Sequence, residues 1–476
     1  MSRTPVRSSL LGARTVTERS VDALRAAFHG DVLVAGDETY DDVRRVWNQM
    51  VDRRPAVVAR ATGVADVRTA LAYARAEGLD VTVRCGGHSI VGHGVADGAV
   101  LLDLAPMRAV RADPDRRQVW VQGGARLRDV DRETHPFGLG VPVGVVGDTG
   151  VGGLSLGGGY GFATRRYGLT CDNLLAAELV TADGELVLVD EEREPELLWG
   201  LRGGGGNFGV VTGLTFRLHP VGPISYGDHL FPLDEGLAPL RAMLDLLRDG
   251  PDEVTASAVV ASAPAADWVP AEWRGRAAVM VSWVFHGPAD EGRRLCAPLA
   301  AAGRPVASAE AETTYAELQA FSDVVPGAVG RRYWKGALVA DLPDEALEMI
   351  LRRGAAPGEP EPSCAVELFG LGGAFGRVGD QDTAFGHRGS ICDVLVVSGW
   401  TDPADDASRL AEARGLAAEV ARYADGAYVN SLEDETSDAV RSAYGATTFD
   451  RLTALKDRYD PANVFHHNQN IRPSAG

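Results

Sequence analysis

Two glycine-rich loops carry the most specific chemistry in this sequence. Cys85-Gly86-Gly87-His88-Ser89 follows a short strand expected over 80–84. Adjacent glycines after a strand can turn successive backbone N–H groups toward one anion, because glycine adopts φ > 0 without strain. The loop is therefore a candidate pyrophosphate cradle. The run Gly147–Gly161 (GDTGVGGLSLGGGYG) reads as too glycine-rich for a packed helix or strand, so a flat ligand is expected against its backbone. The competing reading is a floppy surface loop, but Val151, Leu154 and Leu156 would then be poorly placed in water. Neither common nucleotide motif is present: there is no GxxxxGK[ST], and Gly157–Gly161 does not open a helix in a strand–loop–helix unit followed by an acid. A planar, pyrophosphate-bearing ligand without those motifs points to a flavin dinucleotide.

The five cysteines are scattered and lack CxxC pairs, which fits neither a disulfide framework nor a structural zinc site. No HExxH or dense cluster suggests a metal. The adjacent His466 and His467, in a strand-like segment, are expected to face opposite ways. No metal is predicted.

These residues need a sizeable scaffold, and 476 residues with 45% apolar and 24% charged content supply one with two or three packed domains. A net charge of −19 argues against nucleic acid as a partner. No apolar run long enough for a bilayer and no secretory leader are apparent, so no membrane association and a cytoplasmic location are expected. Glycines crowd into residues 84–213. There a helix over about 66–77, strands at 99–104, 109–112 and 118–122, a helix over 127–134 and a hairpin turning at Ala182-Asp183-Gly184 are expected. After the strand 210–218 and His219-Pro220 the texture changes, which sets a domain boundary near 220. Strands at 255–261, 277–285, 337–340, 365–369 and 393–400, with helices near 289–302, 344–353 and 404–424, predict a mostly antiparallel sheet covered by helices on one face. Residues 355–363 read as a surface loop. The segment from 426 is too short to be a domain and must pack on another.

Four motifs in order resemble those of the berberine bridge enzyme-like FAD-linked oxidases, bacterial members included, within the vanillyl-alcohol oxidase-type flavoproteins. They are Arg84-Cys85-Gly86-Gly87-His88-Ser89, Gly150–Gly161, Tyr167-Gly168-Leu169-Thr170-Cys171-Asp172-Asn173, and Asn463-Val464-Phe465 with Asn468-Gln469-Asn470-Ile471-Arg472-Pro473; Tyr428-Val429-Asn430 adds a fifth element. The resemblance implies an α+β fold. A two-part FAD-binding domain (30–220 and 426–476) would enclose an inserted substrate domain of antiparallel sheet covered by helices (221–425). It also implies FAD bonded twice, through His88 to the 8α-methyl and through Cys171 to C6. An imidazole nitrogen and a thiolate are the side chains able to add to an oxidised isoalloxazine. Cys85 reads as plain packing. Arg84, Gly86, Gly87, Ser89, Thr149, Gly152, Gly153, Gly158, Asn468 and Asn470 are the expected further cofactor contacts; for the two asparagines, turn capping is the competing role.

The implied reaction moves a hydride to the flavin while a base takes the proton from the adjacent O–H or N–H. Tyr428 is the first candidate base, provided that its neighbours lower its pKa from about 10. Tyr160 is a candidate relay or stacking partner, and Glu367 a base or substrate anchor; a core tyrosine and an exposed strand carboxylate are the competing readings of Tyr428 and Glu367. Trp334, Trp400 and Phe369 are candidate pocket walls. No nicotinamide fingerprint or iron–sulfur spacing offers an exit for electrons, so molecular oxygen is the expected acceptor, with release of peroxide. The expected substrate is an alcohol- or amine-bearing small molecule of secondary metabolism, with antibiotic biosynthesis as the setting. A carbohydrate oxidised at its anomeric carbon and a dehydrogenase with another acceptor are the alternatives, and a nicotinamide-linked reductase or a flavin-holding protein without turnover are further ones.

Overall fold

Short aliphatic runs bounded by glycine build the N-terminal half of the structure, a computed structural model that describes residues 16–321, 323, 330–354, 364–433 and 436–475. Val57–Arg60, Val100–Asp103 and Val81–Arg84 lie parallel in that order, with Asp31–Leu33 antiparallel on the outer edge. Val57, Val58, Val100, Leu101 and Leu102 are fully buried, as expected of parallel strands covered on both faces. The helix Val64–Glu77 links two of these strands, buries Val67, Ala70, Leu71 and Ala74, and stops at Gly78 in a left-handed conformation with φ 63°. A second, five-stranded sheet is antiparallel and contains the hairpin Leu174–Val180/Leu186–Val189 anticipated from its turn.

Seven strands between residues 224 and 400 form an antiparallel sheet in the order Ala307–Thr313, Ile224–Pro232, Ala277–Phe285, Val254–Ser262, Ala365–Gly370, Cys392–Trp400, Arg331–Val339. Four helices, Leu237–Asp249, Ala289–Ala301, Asp344–Arg353 and Asp406–Val420, share one apolar core with Val366, Leu368, Val394 and Val396 on the sheet. Alternate residues therefore turn to the other face, and Phe369 and Leu338 join the core that holds residues 428–471. The terminal segment thus packs between the N-terminal sheets and the uncovered face of the large sheet.

Three expectations are corrected. Residues 151–157 of the glycine run form a helix, Val151–Gly157. Glycine disfavours helix by about 1 kcal/mol per residue, but here Val151 is fully buried and the run is held on several sides by tertiary contacts. Ile224–Pro232, Ala307–Thr313 and Leu237–Asp249 are additional elements; the first carries Gly, Asp and Pro, and the second alternates only alanine with Ser and Glu, which are weak strand formers, so neither gives a clear strand signal. His466 and His467 lie outside any strand and face the same way, with ring centroids 4.4 Å apart. The expected loop at 355–363 lies outside the described residues. Among the described residues no helix is long and apolar enough to cross a membrane.

Candidate active site

The two glycine loops meet backbone to backbone. A Cβ on Gly86 would stand 2.3 Å from the Gly150 nitrogen, and one on Gly150 2.3 Å from the Gly86 nitrogen. Only residues without side chains allow that approach. Gly152 is closed by the Gly123 carbonyl, Gly158 by Phe385, while Gly153 has open space where a Cβ would be. Gly87 and Gly158 have φ of 72° and 137°. Burial pushes the Cys85 thiol up to about 11, against hydrogen bonds from the Gly152, Gly153 and Gly86 N–H groups, in keeping with a packing role. The Arg84 guanidinium is spent below the loop: it pairs with Asp103 at 2.9 Å and donates to the Arg45 and Val43 carbonyls, so this side chain braces the strand. Ser89 Oγ accepts from the His93 N–H. Thr149 lends its carbonyl to the Leu127 N–H, which ties the run to the helix Leu127–Thr134.

His88 and Cys171 approach the glycine helix from its two ends. The His88 ring stacks on Trp47 at 5.1 Å, and Trp47 meets Trp334 at 4.9 Å. His88 Nε2 is buried without a hydrogen-bond partner, 3.6 Å from Asp148 Oδ2. Cys171 is fully buried at the other end, its N–H donating to the Gly158 carbonyl at 2.9 Å. Burial, and after it the Asp172 carboxylate, push its thiol well above the usual range. Arg388, which the sequence reading did not single out, grips Asp172 through two bonds of 2.7 and 2.9 Å, with both partners buried. The large-sheet region thereby fixes the turn that carries Cys171.

Tyr428, Tyr160 and Glu367 come together where the glycine run faces the uncovered side of the large sheet, and they bring a fourth residue with them. Tyr428 Oη accepts from the Gly159 N–H at 3.0 Å and from Asn430 Nδ2 at 2.8 Å, so its own proton is free to be donated. Burial nevertheless pushes this phenol above its ordinary value, against both hydrogen bonds. The lowering expected for a phenolate base is absent. Tyr160 packs between Phe369 and Tyr428 at 5.1 and 5.4 Å and donates its hydroxyl proton to Asp393 Oδ2 at 2.8 Å. Burial pushes the Asp393 carboxyl up to about 7; the Tyr160 bond opposes this and Glu367 adds to it. Burial likewise raises Glu367. Asp393 is paired with Phe369 and Leu338 across the sheet, which sets its side chain on the face away from the helices. Its signal in the sequence was slight: one acid inside the apolar strand CDVLVVSGW. Trp400, by contrast, is buried in the helix-covered core, where its Nε1 donates to Asp406.

The terminal segment closes the arrangement. Asn468 Nδ2 donates to the Gly206 and Phe465 carbonyls, a turn-bracing role, while the Oδ1 atoms of Asn468 and Asn470 are buried without partners. Such unpartnered groups, with His88 Nε2, Trp334 Nε1 and Asp393 Oδ1, are costly unless a polar ligand satisfies them. A large flat cofactor with polar edges fits these residues and the side-chain-free backbone beside them.

Comparison with known proteins agrees. The FAD binding domain family matches residues 55–190, and the family "Berberine and berberine like" matches residues 427–472. An FAD-linked oxidoreductase of Dictyostelium discoideum is 32% identical over 453 residues, covering 94% of this chain and 95% of its own. The crystal structure of 6-hydroxy-D-nicotine oxidase from Arthrobacter nicotinovorans superposes with a TM-score of 0.84 at 30% identity, over 94% of this chain and 98% of that one. Glucooligosaccharide oxidase of Acremonium strictum, described with a 6-S-cysteinyl, 8α-N1-histidyl FAD, reaches a TM-score of 0.83 at 25% identity, over 95% and 99%. With its α+β architecture and FAD as cofactor, the chain belongs to the berberine bridge enzyme-like family of FAD-linked oxidoreductases.

Proposed function

We propose that the protein is an oxidase with FAD bonded through His88 and Cys171, acting on an alcohol- or amine-bearing small molecule of secondary metabolism. The observation that carries this reading is the Tyr160–Asp393 pair: a buried carboxyl that accepts a 2.8 Å hydrogen bond from a phenol beside Tyr428, with burial pushing its pKa up to about 7. Residues 30–220 with 426–476 hold the cofactor in this reading, and 221–425 roof the substrate. The chemistry supplied by bound FAD is acceptance of a hydride from a substrate C–H bond.

The protein's task is then the proton on the neighbouring O–H or N–H. As that proton moves to Tyr160 Oη, the proton already on Tyr160 passes to Asp393 Oδ2, so neither phenol has to carry a full charge. A pKa near 7 suits a base working at neutral pH. Tyr428, with both acceptor sites occupied and its proton free, orients the substrate heteroatom. Glu367, next along the face, anchors a polar substituent. An amine substrate is favoured by analogy with the nicotine oxidase, since two carboxyls line this wall.

The test uses purified holoprotein under nitrogen, mixed with panels of amines, alcohols and sugars while the flavin absorbance is followed. Bleaching by an amine or alcohol, then recovery within seconds in air-saturated buffer with peroxide formed, is expected. Bleaching by sugars alone would reassign the substrate. Recovery over minutes, with rapid turnover on a quinone or dye, would make the protein a dehydrogenase.

A further inference from the structure

At the N-terminal end of the strand Val81–Arg84, the end away from the glycine loop, three ligating side chains converge. His466 and His467 each turn Nε2 toward Asp80 Oδ2, at 3.6 and 3.5 Å. One donor atom from each residue lies within 4.8 Å of the other two. The pairings to Asp80 lie at or beyond the long edge of hydrogen-bond reach, and His467 Nε2 is buried. They are close to the ~3.3–3.4 Å that separates atoms held tetrahedrally at zinc bond lengths of about 2.0–2.1 Å.

The tautomer fits the same purpose. His466 Nδ1 lies 2.9 Å from the Asn463 carbonyl, which can only accept, so Nδ1 carries a proton and Nε2 is the nitrogen turned to the cluster. A histidine ligand held by a backbone carbonyl at its other nitrogen is the usual arrangement behind a metal. The segment is also rigid. Asn463 is held at φ 52°, and the buried Lys456 binds Asp460 at 2.7 Å and the Phe465 carbonyl at 2.9 Å. Asp460 in turn accepts from the Val464 and Phe465 N–H groups. Arg53 opposes charge near His467, but its guanidinium is engaged by the Val91, Gly92 and Val95 carbonyls.

We propose that Asp80, His466 and His467 form a site for a divalent first-row transition metal of the zinc class, with solvent in the remaining position. The ion clasps the terminal segment to the start of the strand through the two residues that precede Asn468. The proposal revises the expectation of no metal, which rested on the lack of a dense ligand cluster in the sequence and on the two rings facing apart. It is independent of the flavin chemistry.

The test takes full-length holoprotein without an affinity tag, treated with chelator and dialysed, and titrates it with zinc chloride by calorimetry and thermal unfolding. One equivalent bound, a zinc-dependent rise in Tm, and strong visible absorption on substitution by cobalt, as expected of tetrahedral coordination, are expected. His467→Ala and the exposed-site variant Asp80→Asn should each lose that equivalent and the cobalt bands while keeping their flavin absorbance. The same stoichiometry and Tm shift in wild type and in both variants would overturn the proposal. So would cobalt binding by the wild type without the intense bands, a result that does not depend on any variant folding.

Discussion

At the scale of single residues, the division of labour follows from burial acting with opposite consequences on similar groups. A buried phenol becomes a worse base, and a buried carboxyl becomes a better one at neutral pH. Asp393→Asn is therefore expected to slow anaerobic flavin reduction by about 10²–10⁴-fold, and Tyr160→Phe to do the same by cutting the relay. In the wild type the reduction rate should climb with pH through about 7, as the Asp393 carboxylate forms, and Asp393→Asn should lose that limb. Stopped-flow absorbance across pH checks this; an unchanged profile in Asp393→Asn would return the base to Tyr428 or Glu367. The proposed attachment through His88 and Cys171 makes a separate expectation. Acid-precipitated, washed protein should stay yellow in His88→Ala and in Cys171→Ala, and only the double variant should release free FAD.

At the scale of elements, the contact between the 85–89 loop and the start of the glycine helix is the joint on which the site depends. Gly86→Ala drives a Cβ into the Gly150 backbone, which cannot swing aside as a side chain would. A loss of about 1–3 kcal/mol is expected for such overpacking, read as a lower Tm together with lower flavin content. Gly153→Ala is the contrasting case, since nothing stands within 4 Å of its Cβ position. Its Tm should hold or rise, with flavin incorporation alone reduced, and calorimetry combined with the absorbance ratio separates the two outcomes. Equal loss of flavin and of Tm in both variants would mean that the open face of Gly153 is not where the cofactor lies.

At the scale of the whole molecule, the large sheet is joined to the N-terminal half partly through the helices Leu127–Thr134 and Tyr315–Ala320. Asp131 sits at that contact with both carboxyl oxygens buried and unpartnered. Burial, reinforced by Asp323, pushes it up to about 8. An acid whose pKa is raised by folding binds its proton more tightly in the native state, so stability is full below the unfolded value of about 3.9 and falls as pH rises toward 8. The wild type should lose Tm across that window from this group. Asp131→Asn should flatten that part of the curve, and parallel Tm–pH curves for the two proteins would show that the site does not titrate.

The sequence alone determined the cofactor class and most of the scaffold, because both are written locally. Glycines that permit close backbone approach are contiguous in the chain, and so are the alternating apolar runs and the hairpin turn 182–184; the strand Ala277–Phe285 and the helices Leu127–Thr134 and Asp344–Arg353 emerge at their expected bounds. His88, Cys171, Tyr160 and Tyr428 could be named from motifs for the same reason, and Glu367 from its place on an expected strand. What only the tertiary structure decided depends on partners far apart in the chain. Asp393 becomes a candidate base because Tyr160, 233 residues away, donates to it in a space walled by Phe369. Arg388 matters because Asp172 lies 216 residues off. The glycine helix forms against its own propensity because packing outweighs about 1 kcal/mol per glycine. The pKa of a buried acid and the facing of two adjacent histidines are properties of an enclosure, and no window of sequence contains the enclosure.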